Sequence, residues 1–307
     1  SRALTGFSIP GCVDKLIINL FADDTLLFLS KTDRYRDVME ILSKWCAASG
    51  AKFNIAKTEI IPIGTKAHRD NVVNTRKLSP SDRRIRSDTV IATDGQSSRY
   101  LGTWVGNGVD NLIPWGPVLD KVSARLKLWK QSYPSINARA AVVQMFAGGC
   151  TQFLTQAQGM PPPIEKALIK LIRDFVWSED AKRVPIDLTH LYRPRAEGGI
   201  ALLDIHARND AIELMWLKRY LDLSDSRPTW AYATDVLIRK TLPDVHSIAR
   251  LNTFLQRWSP PLRGRKGSTR LPIYLSRMLT VAKTHHTDFT ALKLTGSLKR
   301  QLPAWFH

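Results

Sequence analysis

The chain has 307 residues, enough for two domains of ordinary size, and 44% of them are hydrophobic, which is a globular and not a disordered composition. It carries 45 Lys and Arg against 27 Asp and Glu, a formal charge of +18, and so a surface suited to a polyanion such as nucleic acid. Cys12, Cys46 and Cys150 lie far apart with no C-x-x-C pair, no apolar run reaches eighteen residues and no signal peptide is seen. A disulfide framework, an all-cysteine zinc site, a membrane span and secretion are therefore not expected, and an intracellular location, nucleus or cytoplasm, is.

In chain order, the first segment reads as β-rich. Apolar runs over 16–21 and 25–29 flank Ala22-Asp23-Asp24, a hairpin signal with no Asn-Gly or Asp-Gly at the turn. Val38, Ile41, Leu42, Trp45 and Cys46 then recur at helical spacing. Thr32 or Asp33 is placed to cap that helix and Gly50 to end it. Short strands are expected over 52–55 and 59–63. The polar, basic stretch 65–98 reads as a loop or insertion, and 99–105 recovers strand character.

From Pro117 onward helices dominate. Val118, Val122, Leu126 and Trp129 mark one, with basic residues interleaved. Residues 136–158 mark a second, weakened by Gly148-Gly149. After Pro161-Pro162-Pro163, a third carries Ile164, Leu168, Leu171, Ile172 and Phe175. Glu197-Gly198-Gly199 is a loop, and Asp204 is placed to cap a fourth helix with Ile212, Met215, Trp216, Leu217 and Tyr220. The tail 250–307 holds eleven Lys and Arg against Asp288 alone, so +10 of the +18 charge sits there. A flexible or loosely packed basic extension is expected for it. No internal repeat is present.

The sharpest chemical feature is the Asp23-Asp24 pair between two strands. Adjacent carboxylates repel, and a hard divalent cation with oxygen ligands relieves that repulsion. Nucleotidyl transfer uses such ions to clamp the attacking and leaving oxygens at phosphorus. For the bare pair alone a solvated acidic turn is the commoner case. The flanks add a resemblance. Phe21-Ala22-Asp23-Asp24-Thr25-Leu26-Leu27-Phe28 resembles the aromatic-Ala-Asp-Asp palm motif of reverse transcriptases. Ser49-Gly50-Ala51-Lys52-Phe53-Asn54-Ile55-Ala56-Lys57-Thr58-Glu59 is similar to the next palm motif of the non-LTR retrotransposon enzymes. Arg99-Tyr100-Leu101-Gly102 resembles their primer-grip strand, and Leu4-Thr5-Gly6-Phe7-Ser8-Ile9-Pro10 the segment leading into the Asp-Asp strand. The resemblance covers about residues 1–105. Phe175-Val176-Trp177 and Arg193-Pro194 through Gly198-Gly199-Ile200 extend it more weakly to about 222.

The resemblance implies an α+β fold. Residues 1–110 would be a partial palm, an antiparallel sheet plus helix with the basic loop 65–98, and 111–225 a mainly helical thumb and connection. Residues 226–307 would be a basic extension. It implies RNA-directed DNA synthesis by the parent protein, with Mg²⁺ or Mn²⁺, an RNA template and a DNA primer or hybrid duplex as partners, and no membrane. Asp23 matches the principal metal-ligand carboxylate and Asp24 its neighbour. Lys57 matches a lysine that protonates the leaving pyrophosphate, and equally suits a plain surface lysine. Tyr100, Leu101 and Gly102 match the primer grip. Phe21 stands where many members carry Tyr, so no contact through a tyrosine hydroxyl is available there.

Basic clusters supply phosphate contacts that carry affinity without sequence information: Arg83, Arg84 and Arg86; Arg125, Lys127 and Lys130 around Trp129; Arg263, Arg265 and Lys266. The family's further catalytic aspartate, fingers and template-binding motif precede the Asp-Asp turn, and Asp14, the one acid before Asp23, lies too close to it to substitute. With Ser1 in place of Met, a C-terminal fragment is expected, inactive alone and needing an upstream polymerase segment. No endonuclease motif or cysteine–histidine knuckle is found, and His285-His286 reads as an exposed pair. A non-catalytic nucleic-acid-binding module and a decayed element are the alternatives.

Overall fold

The computed structural model describes residues 4–54, 57–177, 186–239, 271–287, 293–294 and 296–301. It is a mixed helix-and-strand protein in two compact units, Ser1–Asp110 and Asn111–His307.

In the first unit, Phe7 exchanges backbone bonds with Leu16 (2.8 and 2.9 Å). β1 (Ile18–Phe21) then pairs antiparallel with β2 (Asp24–Leu27), in register Ile18↔Leu27 through Phe21↔Asp24. The root of this hairpin is held by a buried carboxylate. Asp33 accepts from the backbone N–H of Thr5 (2.7 Å), Gly6 (3.0 Å) and Ser30 (2.8 Å), and from the Ser30 hydroxyl. Asp33 is thus spent on tying the two sides of the hairpin together and does not cap the helix that follows. That helix, α1 (Tyr35–Ser49), starts at Arg34, whose side chain makes no capping bond. Its first N–H, on Tyr35, donates instead to Asp82 Oδ2 at 2.7 Å, a cap from 47 residues downstream. Gly50 ends it at φ 70°, the left-handed conformation that glycine adopts without a Cβ clash. Val38 is buried on its apolar face, whereas Trp45 remains half exposed beside Phe53, ring centroids 5.2 Å apart.

The strand expected over 52–55 is absent among its described residues: 51–54 have no regular structure, and 55–56 lie outside them. β3 is short (Glu59–Ile60) and pairs in parallel with β4 (Val90–Ile91). The stretch 65–98 is not a loop. Thr65 accepts from the His68 N–H and caps α2 (Lys66–Thr75), whose Val72 packs with Ile85 and Ile91 in a small core. So few apolar residues stabilise little by burial. Polar ties add to them: Arg69 binds Asp94 with two bonds (2.7 and 2.6 Å), and Arg76 donates to the carbonyls of Ile85, Arg86 and Thr89. β5 (Ser98–Tyr100) and β6 (Thr103–Val105) close the unit as a second antiparallel hairpin. The strands are therefore paired two by two, and the β3–β4 ladder is parallel, in place of the single antiparallel sheet expected.

In the second unit a short 3₁₀ turn (Ile113–Trp115) leads into α3 (Gly116–Lys130). α4 (Ile136–Val143), a π-helical turn (Gln144–Gly148) and α5 (Gly149–Gln158) form one continuous helical run. The expected weak point at Gly148-Gly149 is thus a change of winding and not a break. α6 (Pro162–Trp177) begins within the proline triplet and buries Ile164, Leu168, Ile172, Phe175 and Val176, one helical stripe. These residues pack with Trp115, Val122, Leu126, Val143 and Leu154 in the first core of the unit. Arg139 caps the end of α6, donating to the carbonyls of Phe175 and Val176.

α7 (Leu188–Tyr192) leads to α8 (Ile205–Tyr220), capped by Asp204 through the Ala207 N–H (3.1 Å) as its sequence suggests. A second core joins Leu217, Tyr220 and Leu221 to α9 (Thr229–Arg239) and α10 (Ile273–Thr284), through Ala231, Ile238, Leu275, Met278 and Leu279. It runs across residue 226, so the boundary expected there does not separate two bodies, and 273–284 is a packed helix and not a loose arm. Beneath it Arg227 grips Asp235 with two bonds (2.7 and 3.0 Å), both side chains buried, and Tyr220 donates its hydroxyl to the same carboxylate. β7 (Asp222–Leu223) pairs in parallel with β8 (Lys293–Leu294), and α11 (Gly296–Gln301) follows. No helix among the described residues is long and apolar enough to cross a membrane.

Candidate nucleic-acid and metal site

The β1–β2 hairpin places Asp23 and Asp24 at its tip. Phe21 pairs with Asp24, so Ala22 and Asp23 form a two-residue turn. Such turns suit the twist of paired strands when the first turn residue has positive φ, and Ala22 takes φ 53°. Asp23 lies in the turn and Asp24 opens β2, both exposed. The first strand is bare, with Ile18, Leu20 and Phe21 45%, 68% and 64% exposed, and Thr25–Leu27 of the second are half-buried, so the hairpin's stability leans on the Asp33 tether. Burial pushes the Asp33 carboxyl up, but the bonds from Thr5, Ser30 and Gly6 outweigh it and leave it below the usual carboxylate range.

Carboxylate oxygens suit Mg²⁺ or Mn²⁺, and Mg²⁺ takes one or two protein carboxylates with water and substrate phosphate in its other positions. Among the described residues no group of three His, Cys, Asp or Glu comes together to hold an ion. The carboxylates at the hairpin tip are thus Asp23 and Asp24, with no third such residue beside them among the described residues.

Lys57 is exposed, its N–H turned onto the Asn54 carbonyl at 3.1 Å, and no hydrogen bond or ion pair among the described residues joins it to Asp23 or Asp24. Tyr100 and Thr103 pair at the end of the β5–β6 hairpin, and Leu101-Gly102 is its turn. Both turn residues have positive φ, 46° and 82°. The second is glycine, and the first is an exposed leucine held in a conformation that side chains disfavour. The expected primer-grip residues thus form a tight turn that offers backbone at its tip.

The basic residues are not equivalent. Arg83 and Arg84 are exposed, and Arg84 also reaches the Thr75 carbonyl. Arg86 is paired with Asp88 by two bonds (3.0 and 2.7 Å), which raise the pKa of the arginine and lower that of the aspartate, so its charge is already met. On α3, Arg125 lies over the Phe146 ring at 5.9 Å, and Trp129 stands 6.4 Å from the same ring. Arg125 and Trp129 share a side of the helix, one turn apart, whereas Lys127 and Lys130 lie together on another. The four do not make one patch. Arg263, Arg265 and Lys266 lie outside the described residues.

His285 and His286 are exposed, as expected, and His285 Nε2 meets Asp210 at 2.7 Å. Nearby His206 meets Glu165 at 2.8 Å, and that bond raises the His206 pKa. Sequence reasoning also passed over a cleft between α5 and α8. Arg208 and Arg219 both line it, with Gln152 and Gln156 opposite and Met215 and Trp216 between. Its signal was in the sequence, since Arg208, Ile212, Met215 and Arg219 follow helical spacing, but a stripe bounded by arginines also suits an ordinary half-buried helix face. No protein-family profile matches the chain, and no curated protein matches it.

Proposed function

We propose that the chain is part of an RNA-directed DNA polymerase of the non-LTR retrotransposon kind. In this reading Asp23 and Asp24 contribute to its metal site, the Tyr100-Leu101-Gly102 turn holds the primer end, and the helical unit acts as the basic thumb and connection. The observation that carries the reading is the form of the first unit. The acidic pair sits at the tip of a tight antiparallel hairpin, and the Tyr-Leu-Gly triplet forms a second tight turn in the same unit. The partners would be RNA template and DNA primer, bound largely through phosphates under a charge of +18.

The test compares an RNA–DNA hybrid carrying a recessed DNA 3′ end with RNA alone, by fluorescence anisotropy. Gly102→Val puts a β-branched residue at φ 82°, a strain of about 1–3 kcal/mol that opens the turn. The expected result is weaker binding of the recessed hybrid and unchanged binding of RNA. Equal loss on both, or no loss, rejects the primer-grip assignment. A second reading, a nucleic-acid-binding module without chemistry, is favoured by one observation: no third acid joins Asp23 and Asp24 among the described residues.

A further inference from the structure

The cleft between α5 and α8 carries positive charge that no acid among the described residues pairs with. Arg208 is half-buried, and burial lowers its pKa. Its guanidinium donates to the Thr151 hydroxyl (2.7 Å), the Thr155 hydroxyl (3.3 Å) and Asn209 Oδ1 (2.9 Å), all neutral acceptors. Neither Arg208 nor Arg219 forms an ion pair among the described residues. Glu165 acts on Arg208 from a distance, but its own oxygens are taken by His206 (2.8 Å) and Asn209 (2.7 Å). A cation partly withdrawn from water and unpaired is costly, and an anion brought from outside removes that cost.

The shape says which anion. The cleft measures about 240 Å³. Its two arginines stand eleven residues apart on α8, roughly 16 Å along the helix at 1.5 Å per residue. That distance exceeds one small ion. Between them lies an apolar stretch: Met215 is 51% exposed, and Trp216 is fixed by a bond from its Nε1 to the Gln156 carbonyl (3.0 Å). The Arg219 guanidinium rests 5.5 Å from the Trp216 ring. On the facing wall Gln152 and Gln156, one turn apart on α5, are exposed. Cations at both ends, an aromatic and a thioether between them, and neutral amides opposite suit a chain of alternating phosphates and bases.

We propose that this cleft receives one strand of a nucleic acid, with backbone phosphates at Arg208 and Arg219 and a base laid against Met215 and Trp216. The inference rests on the nucleic-acid reading of the chain and is independent of the Asp23–Asp24 turn. The Gln152 and Gln156 amides contact base edges or phosphate oxygens. A double helix does not enter a cleft of this size, so the strand is single there.

The experiment uses the full chain and fluorescein-labelled twelve-nucleotide oligo-U and oligo-dT, with affinity read by anisotropy. Arg219→Glu is compared with Lys166→Glu, an exposed residue of α6 whose replacement changes the net charge equally. Gln152→Glu is a second exposed cleft variant, and circular dichroism melting checks that all three fold. The cleft variants are expected to weaken binding about tenfold or more, and Lys166→Glu by no more than about threefold, because a contacted charge outweighs a distant screened one. A 4-thiouridine strand is expected to crosslink at Met215 or Trp216. Cleft binding of either oligonucleotide supports the inference. Equal weakening by Arg219→Glu and Lys166→Glu, with crosslinks elsewhere, overturns it while wild-type binding upholds the nucleic-acid reading. Absence of wild-type binding to any oligonucleotide or hybrid overturns both.

Discussion

Removing the Asp33 carboxylate should release the root of the acidic hairpin while leaving the helical unit intact. Asp33→Ala deletes the acceptor of three backbone N–H groups and one hydroxyl, at 2.7–3.1 Å. Bonds to a charged acceptor contribute about 1.5–3 kcal/mol each, but they are not additive and water replaces the exposed ones. The Gly6 bond is the buried one, and its N–H is left without an acceptor. A total of about 3 kcal/mol follows, roughly a hundredfold in the local opening constant. Asp33→Asn keeps the shape and one carbonyl oxygen, so its effect should be about half of that in free energy.

Amide hydrogen exchange is the assay. Exchange of residues 4–33 should accelerate strongly in Asp33→Ala and less in Asp33→Asn, while α6 exchanges as in the wild type. The sign with pH follows from the lowered pKa of Asp33. Its contribution is complete above the ordinary carboxylate value of about 3.9 and disappears as pH falls through the lower folded value. Unchanged exchange over 4–33, or acceleration spread equally over both units, would show that Asp33 does not hold the hairpin root.

Four further outcomes are expected. Gly159 has φ 72° and ψ 158°, and a Cβ there would lie 1.8 Å from Arg277 Nη2, so Gly159→Ala should cost about 1–3 kcal/mol in backbone strain and loosen α10, read as faster exchange over 273–284. His206 is raised by its bond to Glu165, so its contribution is complete below the ordinary histidine value of about 6.5 and is lost as pH rises through the higher folded value; Glu165→Gln should return an NMR-titrated His206 toward that ordinary value. Hybrid binding should weaken steeply with salt, and replacing Arg263, Arg265 and Lys266 by Gln, which removes three positive charges and leaves α10 in its core, should flatten that slope; affinity indifferent to salt would count against phosphate contacts. Asp82→Ala removes the distant cap of α1 and should cost about 1 kcal/mol, seen as fraying of residues 35–38 in hydrogen exchange.

The elements legible in the sequence are those with a strong local pattern. The apolar–acidic–apolar alternation locates the β1–β2 hairpin without a turn glycine, and Ala22 adopts the positive φ that the turn requires. α6 and α8 follow from their stripes and from Asp204. What escapes depends on distant partners. α2 has Val72 as its buried residue, and the core it joins needs Ile85 and Ile91, which no local window connects. Asp82 caps a helix 47 residues before it, and His285 meets Asp210 across 75 residues. The parallel β3–β4 pair is two residues long, below any periodic signal. At the site, residue types were legible and pairing was not: Arg86 looks like a free cation until Asp88 folds onto it, and Arg208 looks like a helix-face residue until Thr151 and Thr155 meet it.

Service of a primer end by the acidic hairpin and the Tyr-Leu-Gly turn is the core of the proposed function. It is tested most directly by placing a photoreactive 4-thiothymidine at the 3′ terminus of a DNA primer annealed to RNA, irradiating the complex and mapping the crosslinked peptides. Crosslinks within 98–105 and 21–25 are the predicted result, lost when the labelled nucleotide is moved to the 5′ end of the primer. Crosslinks confined to the helical unit, or the same pattern from either end of the primer, would contradict the account.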